Sequence, residues 1–208
     1  MLRLSINAGL SQGNQQIRLG SGLLVAAFLA ALPFRVWASE ITIDIYPGND
    51  RSAGPPIQMT YQAEVFEGGL ALRDVEAFAE GTIERFLQDF LEASRSGTLD
   101  GVLTFWHPGH RQATRARLEG RFEGNQRIHQ SAVQTRLHTK LFYGRYRLLA
   151  VQHKFEDGSD LVSVYPVIEM EETYFLTDDL SEDGLFQLIY FMFHDGIGLD
   201  PAFQTINH

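Results

Sequence analysis

The chain contains no cysteine among its 208 residues, which excludes a disulfide framework, thiolate metal ligands and a cysteine nucleophile. It also lacks the Gly-x-Ser-x-Gly setting of a nucleophilic serine and a glycine-rich loop that would cradle phosphate. No internal repeat or low-complexity tract is present. What remains is a globular composition, with 44% hydrophobic and 12% aromatic residues, and a length typical of one domain.

The first 38 residues have the parts of an export signal. They contain three arginines and no acidic residue, and they include an apolar stretch from Leu23 to Leu32 that is followed by Pro33 and by small side chains next to Ser39. We expect cleavage after Ala38. The apolar run is shorter than the roughly 20 residues that span a membrane, so we expect no stable membrane anchor and a periplasmic or secreted protein.

Charge is distributed unevenly along the chain. Removal of residues 1–38 takes away three of the 17 basic residues and none of the 26 acidic ones, so the mature chain has a net charge of −12. The segment from Arg111 to Lys154 nevertheless carries ten basic residues and two acidic ones. The net charge disfavours nucleic acid as a partner, whereas this basic segment favours docking to an acidic partner, including another copy of the chain.

The first half of the mature chain predicts strands followed by helices. Residues 40–46 and 57–65 alternate apolar and polar side chains, which is the pattern of half-buried strands. The apolar spacing then changes to three or four residues, which predicts a long helix over 75–94. A second short helix is expected over 98–106, ending before Pro108.

The clearest strand pattern lies in the second half. Residues 140–156 and 161–177 are rich in aromatic and β-branched side chains and flank a turn at 157–160, which predicts a long hairpin. The apolar run 185–194 is expected to add a third antiparallel strand. Before the hairpin, residues 112–137 are compatible with helices that have a thin apolar face.

A long first helix, the stretch SRSGTLDGVLTFW at 94–106 and long antiparallel strands near the C-terminus resemble the cone-shaped α+β fold of the nuclear transport factor two and ketosteroid isomerase superfamily. The resemblance covers roughly residues 74–194. It implies helices packed on a strongly curved antiparallel sheet and a possible homodimer through that sheet. The superfamily's isomerase aspartate and tyrosine match no position here, so the resemblance implies the fold and not the catalysis.

The domain organisation follows from these patterns. Residues 1–38 are expected to be a signal peptide, and residues 39–208 a single α+β domain. Within that domain, residues 39–70 form an N-terminal strand extension and residues 71–208 the cone-like core.

One candidate binding site is the loop at the end of the second helix. Trp106, His107, His110 and Arg111 bring together an indole, two imidazoles and a guanidinium, a mixture that suits an anion or another ligand. Zinc would need a third ligand from a distant histidine or carboxylate, so we predict no metal site. A turn of solvated histidines that caps the helix is the simpler interpretation.

A second candidate site lies on the predicted hairpin. With the turn at 157–160, paired residue numbers sum to about 317, so that Arg145 faces Glu172 in a cross-strand ion pair. Residues that differ by an even number share a face of a strand, which predicts one polar pocket. The side chains placed on this face are Tyr143, Arg145, Arg147 and His153.

A third candidate is the end of the last predicted strand, where His194 stands beside Asp195 as a reasonable acid–base pair. His153 is the other candidate base. The acidic segment 178–183 lacks the ligand spacing of an EF-hand and is expected to be a solvated loop.

Two functions from different classes follow. The first is an exported, non-catalytic binding or assembly module that holds a small ligand or a protein partner in a pocket or on the open sheet face. The alternative is a cofactor-independent isomerase or dehydratase, with His194 or His153 as general base and a tyrosine or arginine polarising a carbonyl. No cofactor is expected in either case.

Overall fold

Seven strands and five α-helices make up the part of the chain that the structure describes. The structure is a computed structural model and describes residues 4–7, 36–45, 55 and 57–194. The strands are β1 (Leu4–Asn7), β2 (Val36–Ile45), β3 (Ile57–Ala71), β4 (Ala132–Tyr143), β5 (Tyr146–Phe155), β6 (Asp160–Met170) and β7 (Thr173–Leu176). The helices are α1 (Ile83–Ser96), α2 (Leu99–Leu103), α3 (Arg111–Leu118), α4 (Phe122–Ser131) and α5 (Gly184–His194), with a short 3₁₀ turn at Pro108–His110.

Each strand pairs with the next one along the chain, and every pairing is antiparallel. Helices packed on an antiparallel sheet confirm the predicted α+β class. The register shifts between Val65 and Leu70 in β3, and again between Leu137 and Thr139 in β4. Such bulges bend the strands and increase their twist.

Both faces of the central strands are buried. In β5, Leu148 and Ala150 belong to one core, while Leu149 and Val151 belong to the other, and all four side chains are inaccessible to solvent. The Leu149 face packs against α1 and α2, and the Leu148 face packs against α5. Because helices cover the sheet on both sides, this part of β5 is a continuous apolar run without alternation.

Helix α1 is fixed at its start and to the sheet by polar contacts. Thr82 caps it, since its Oγ1 accepts a hydrogen bond from the Arg85 backbone N–H at 3.2 Å. The Lys140 ammonium on β4 reaches Glu84 Oε1 at 2.6 Å and Glu64 Oε2 at 2.5 Å. Burial acts to lower the pKa of Lys140, but the hydrogen bonds to the two glutamates outweigh it and raise the pKa.

The predicted long strand 140–156 is wrong near its beginning, where a turn divides it into β4 and β5. Gly144 has φ +57° and, with Arg145, forms a two-residue turn between β4 and β5. The predicted strand register is also wrong, because paired residue numbers in β5 and β6 sum to 314, as in Tyr146 with Ile168. Glu172 lies in the tight turn after β6, so it does not pair with Arg145.

The third hairpin strand predicted at 185–194 is also wrong, since this segment is helix α5. Asp183 accepts hydrogen bonds from the backbone N–H groups of Leu185 and Phe186 at 2.9 and 3.0 Å, which is the geometry of an N-cap. Its buried side chains recur at helical spacing: Phe186, Ile189, Met192 and Phe193.

Two helix boundaries differ from the predicted ones. The first helix begins at Ile83 rather than at residue 75, because Thr82 provides the cap. The helical segment predicted over 112–137 ends at Ser131, and β4 begins at Ala132. Residues 132–137 join the sheet because they pair with β5 and their apolar members fill its core.

The predicted signal peptide lies mostly outside the described residues. Within it, β1 pairs with β2, and the predicted cleavage point after Ala38 falls inside β2. Cleavage would therefore remove β1, and export stays a prediction. Among the helices that the structure describes, none combines the length and the apolar character needed to cross a membrane.

Candidate functional site

A cavity between the helices and the sheet brings together two of the residues predicted from sequence, Trp106 and His153. Its volume is about 260 Å³. We call it the helix–sheet cavity, and it is walled by α1, α2, α3 and α4 on one side and by β5 and β6 on the other. Most of its wall is apolar or aromatic: Phe90, Val102, Leu118, Phe122, Leu161 and Tyr165.

The mouth of the helix–sheet cavity lies at α4. Asn125 and Ile128, both on this helix, are the exposed members of the described lining. Helix α4 is held to the end of α1 by Gln126 Nε2, which donates to the Gly97 carbonyl at 3.0 Å, and by Gln130 Nε2, which donates to the Arg95 carbonyl at 3.0 Å. A ligand that enters from solvent therefore passes α4.

His153 lies on β5 at the floor of the cavity and is only 1% exposed. Its Nδ1 lies 3.3 Å from Thr135 Oγ1, and its ring makes an edge-to-face contact with His129 at 5.2 Å between centroids. Burial, with a smaller effect of His129, lowers the pKa of His153 to about 4. The imidazole is therefore neutral at pH 7, with one nitrogen a donor and the other an acceptor.

Two buried nitrogen atoms in this lining have no hydrogen-bond partner among the described residues: His153 Nε2 and Trp106 Nε1. A buried polar atom without a partner costs about 1–3 kcal/mol. Trp106 is half-buried, its backbone forms a bridge to Leu176, and the Arg117 guanidinium lies 5.5 Å from the centre of its ring. The indole is thus held in place, and its buried N–H has no partner among the described residues.

The side chains of His110 and Arg111 and the backbone of His107 hold the loop in place. His110 Nε2 lies 2.9 Å from Asp179 Oδ1. Arg111 donates to the backbone carbonyls of Trp106 at 3.0 Å and Thr104 at 2.9 Å. The His107 backbone N–H donates to the Leu176 carbonyl at 2.9 Å. These contacts fix the position of Trp106 against β7.

The predicted common face of Tyr143, Arg145, Arg147 and His153 is wrong, because Arg145 lies in a turn between two strands. Tyr143 belongs to the Leu148 side of the sheet, where its hydroxyl donates to Asp183 Oδ2 at 2.7 Å. Arg147 and His153 share the other face, and the Arg147 guanidinium lies 4.5 Å from the centre of the Phe142 ring. Arg145 contacts Asp179 at 3.2 Å. The structure therefore separates these four side chains.

Sequence reasoning missed most of the cavity wall. Helix α4 places Phe122, Gln126 and His129 on one face at spacings of four and three residues, and Ser163 and Tyr165 share a face of β6. That helical and strand periodicity was available as a signal. The side chain of His194 and all of Asp195 lie outside the described residues, so this predicted acid–base pair stays a prediction.

The basic segment 111–154 is partly neutralised by ion pairs with acidic residues. Several of its cations are paired with acidic residues from elsewhere in the chain: Arg115 with Asp100, Arg117 with Asp178, Lys140 with Glu64 and Glu84, and Arg145 with Asp179. These pairs neutralise four of the ten basic side chains of the segment. Docking of an acidic partner to this segment stays a prediction.

A second cavity, of about 300 Å³, lies between α1 and the loop that precedes it. Charged side chains line it, and several are paired with each other, as Arg85 is with Asp89 at 2.8 Å and Arg95 with Glu92. Its ion pairs leave fewer groups available to a ligand than the helix–sheet cavity does. Over the described ranges, no three histidine, aspartate or glutamate side chains converge to hold a metal ion.

Comparisons with protein-family models, with curated proteins and with solved structures found no match to this chain. The resemblance to the nuclear transport factor two and ketosteroid isomerase superfamily therefore stays a prediction. The helix–sheet cavity itself is the best available indication of function.

Proposed function

We propose that this chain is an exported binding protein that holds a small molecule in the helix–sheet cavity without transforming it. The observation that carries the proposal is the pairing of an apolar wall with two unpartnered nitrogen atoms, Trp106 Nε1 and His153 Nε2. Ligand sites in proteins typically combine a mostly apolar wall with a few placed polar groups. A ligand that hydrogen-bonds to these atoms would relieve their desolvation cost.

The low pKa of His153 favours binding over catalysis. A general base works best when its pKa is near the operating pH, and the pKa of His153 is about 4. At pH 7 such an imidazole is unprotonated, and it is a weaker base than an imidazole of ordinary pKa. The alternative, an isomerase or dehydratase that uses His153, would have a stronger base if the bound substrate raised this pKa.

The proposal is tested by native mass spectrometry of the protein purified from the exported fraction of cells that produce it. We expect a chain that begins at Ser39 and carries extra non-covalent mass. Two variants at one lining position give the matched comparison: Ser163→Phe fills the cavity, whereas Ser163→Ala removes only the hydroxyl group. The extra mass should be absent in Ser163→Phe and present in Ser163→Ala.

The outcomes distinguish ligand binding in this cavity from binding elsewhere and from catalysis. Extra mass that persists in Ser163→Phe would place the ligand elsewhere, and a wild-type protein without extra mass would contradict the proposal. A retained compound that the protein converts into a second species, with loss of conversion in His153→Gln, would favour the isomerase or dehydratase. The predicted homodimer through the sheet is read from the same spectrum as the mass of two chains.

A further inference from the structure

The lining of the helix–sheet cavity contains no aspartate, glutamate, lysine or arginine among the residues that the structure describes. The Arg117 guanidinium over the Trp106 ring is already bound to Asp178 Oδ2 at 2.8 Å. An ion in this cavity would lose its hydration without gaining a counter-ion. The charge pattern of the wall therefore discriminates against charged ligands of either sign.

Neither histidine of the cavity supplies a positive charge at neutral pH. Burial lowers the pKa of His129, and burial together with His129 lowers the pKa of His153 to about 4. At pH 7 the His153 side chain is therefore almost entirely unprotonated. A carboxylate or phosphate ligand would have a cationic partner here only if the imidazole took up a proton on binding.

The polar atoms of the cavity specify what the ligand must offer. Trp106 Nε1 is a donor only, so it requires an acceptor such as a carbonyl or ether oxygen. Neutral His153 presents Nε2 as donor or acceptor, depending on which nitrogen carries the proton. The cavity volume of about 260 Å³ lies just below the range of roughly 300–1,000 Å³ that is typical of sites for drug-sized ligands.

We infer that the ligand is an uncharged molecule of about one or two rings, mostly apolar, whose oxygen accepts a hydrogen bond from Trp106 Nε1. This inference rests on the proposed binding function and adds the chemical class of the ligand. The aromatic side chains Phe90, Phe122 and Tyr165 contact its apolar body, and His153 Nε2 meets a second polar position or the same oxygen.

Three naphthalene compounds of matched shape test the inference by isothermal titration calorimetry at pH 7.5. They are 2-acetylnaphthalene, an uncharged ketone; 2-naphthoate, which replaces the methyl ketone by a carboxylate; and 2-ethylnaphthalene, which has no oxygen. We expect the ketone to bind at least about a hundredfold more tightly than the carboxylate, because the carboxylate loses hydration without a counter-ion. The hydrocarbon should bind more weakly than the ketone.

The variant Trp106→Phe keeps the aromatic body and removes the N–H donor. It should weaken ketone binding about two- to tenfold, the range for one hydrogen bond, and leave 2-ethylnaphthalene binding unchanged. Unchanged hydrocarbon binding also shows that the variant is folded. An equal loss for both compounds would overturn the hydrogen bond to Trp106.

Two further outcomes overturn the inferred ligand class. The first is carboxylate binding as tight as ketone binding, which would leave the binding function in place but make the ligand an anion. The second is the absence of binding by all three compounds up to their solubility limits. The binding function itself is then judged by the mass retained in native mass spectrometry, so the two failures are distinguishable.

Discussion

His153 is a residue whose burial makes the stability of the protein depend on pH. Its pKa is about 4 in the folded chain, against 6.5 for a free histidine side chain. The unfolded chain therefore binds more protons between these values, so its contribution to stability is complete above pH 6.5 and is lost as the pH falls towards 4. The difference corresponds to about 3 kcal/mol.

The variant His153→Gln tests this dependence, since glutamine keeps polarity and cannot titrate. Urea denaturation at pH 7.5 and pH 4 should show that the wild type loses about 3 kcal/mol more free energy of unfolding than the variant does. His129 titrates in both proteins, so its own contribution largely cancels. Equal losses in the two proteins would mean that His153 is not held neutral by the fold.

Lys140 is the second residue at which a charge decides stability. Its side chain is 12% exposed, and it lies between Glu64 on β3 and Glu84 on α1. We expect Lys140→Met to lower the free energy of unfolding by about 2–4 kcal/mol, because two partly buried carboxylates lose their shared cation. Chemical denaturation at pH 7 measures the change.

Lys154 provides the matched control for Lys140, since it is an exposed lysine on the neighbouring strand β5. Lys154→Met should change the free energy of unfolding by less than about 0.5 kcal/mol. If the two variants lose the same amount, the two glutamates do not depend on the Lys140 ammonium.

Trp106 and His153 were predicted from the sequence as site residues, for reasons that differ from those the structure gives. Both were chosen for their chemistry, one in a loop and one on a strand. Their meeting depends on how the loop after α2 packs on β7 and how α1 and α4 cover β5. Such long-range packing has no local signature in the sequence. The predicted pocket of four side chains was wrong because the turn at Gly144 changes which of these side chains share a face of the sheet.

At the scale of the elements, the start of α1 depends on the Thr82 hydroxyl group, which accepts from the Arg85 N–H at 3.2 Å and donates to the Ala79 carbonyl at 2.7 Å. Thr82→Ala should lower the free energy of unfolding by about 1 kcal/mol, and Thr82→Ser should retain most of it because serine caps equally well. Thermal or urea unfolding of the two variants measures the difference. Equal destabilisation would show that the methyl group, not the hydroxyl group, matters.

Helix α5 shows why the type of a secondary-structure element can be predicted wrongly from sequence. The run LFQLIYFMF is rich in residues that favour strands, and strand propensity predicted a strand there. The Asp183 cap and the three- and four-residue spacing of its buried side chains instead fix a helix. By contrast, β3 and α2 were predicted close to their observed positions, because alternation and Pro108 mark them in the sequence. Helical spacing predicted α1 as a helix but placed its start at residue 75 instead of Ile83.

At the scale of the whole molecule, one sheet carries two cores. The Leu149 core lies under α1 and α2, the Leu148 core lies under α5, and β4, β5 and β6 contribute side chains to both. Loss of either helical layer would expose an apolar face of the same strands to water. The two cores are therefore expected to unfold together.

Adjacent residues on opposite faces of β5 test this coupling. Leu148→Ala and Leu149→Ala each remove a fully buried side chain, one from each core, and each should lower the free energy of unfolding by about 2–5 kcal/mol. Far-UV circular dichroism reports the backbone, and near-UV circular dichroism reports the aromatic packing. In both variants the two signals should change in one coincident transition, because neither core can persist without the shared strands. Separate transitions in either variant would mean that α5 and its core form an independently melting unit.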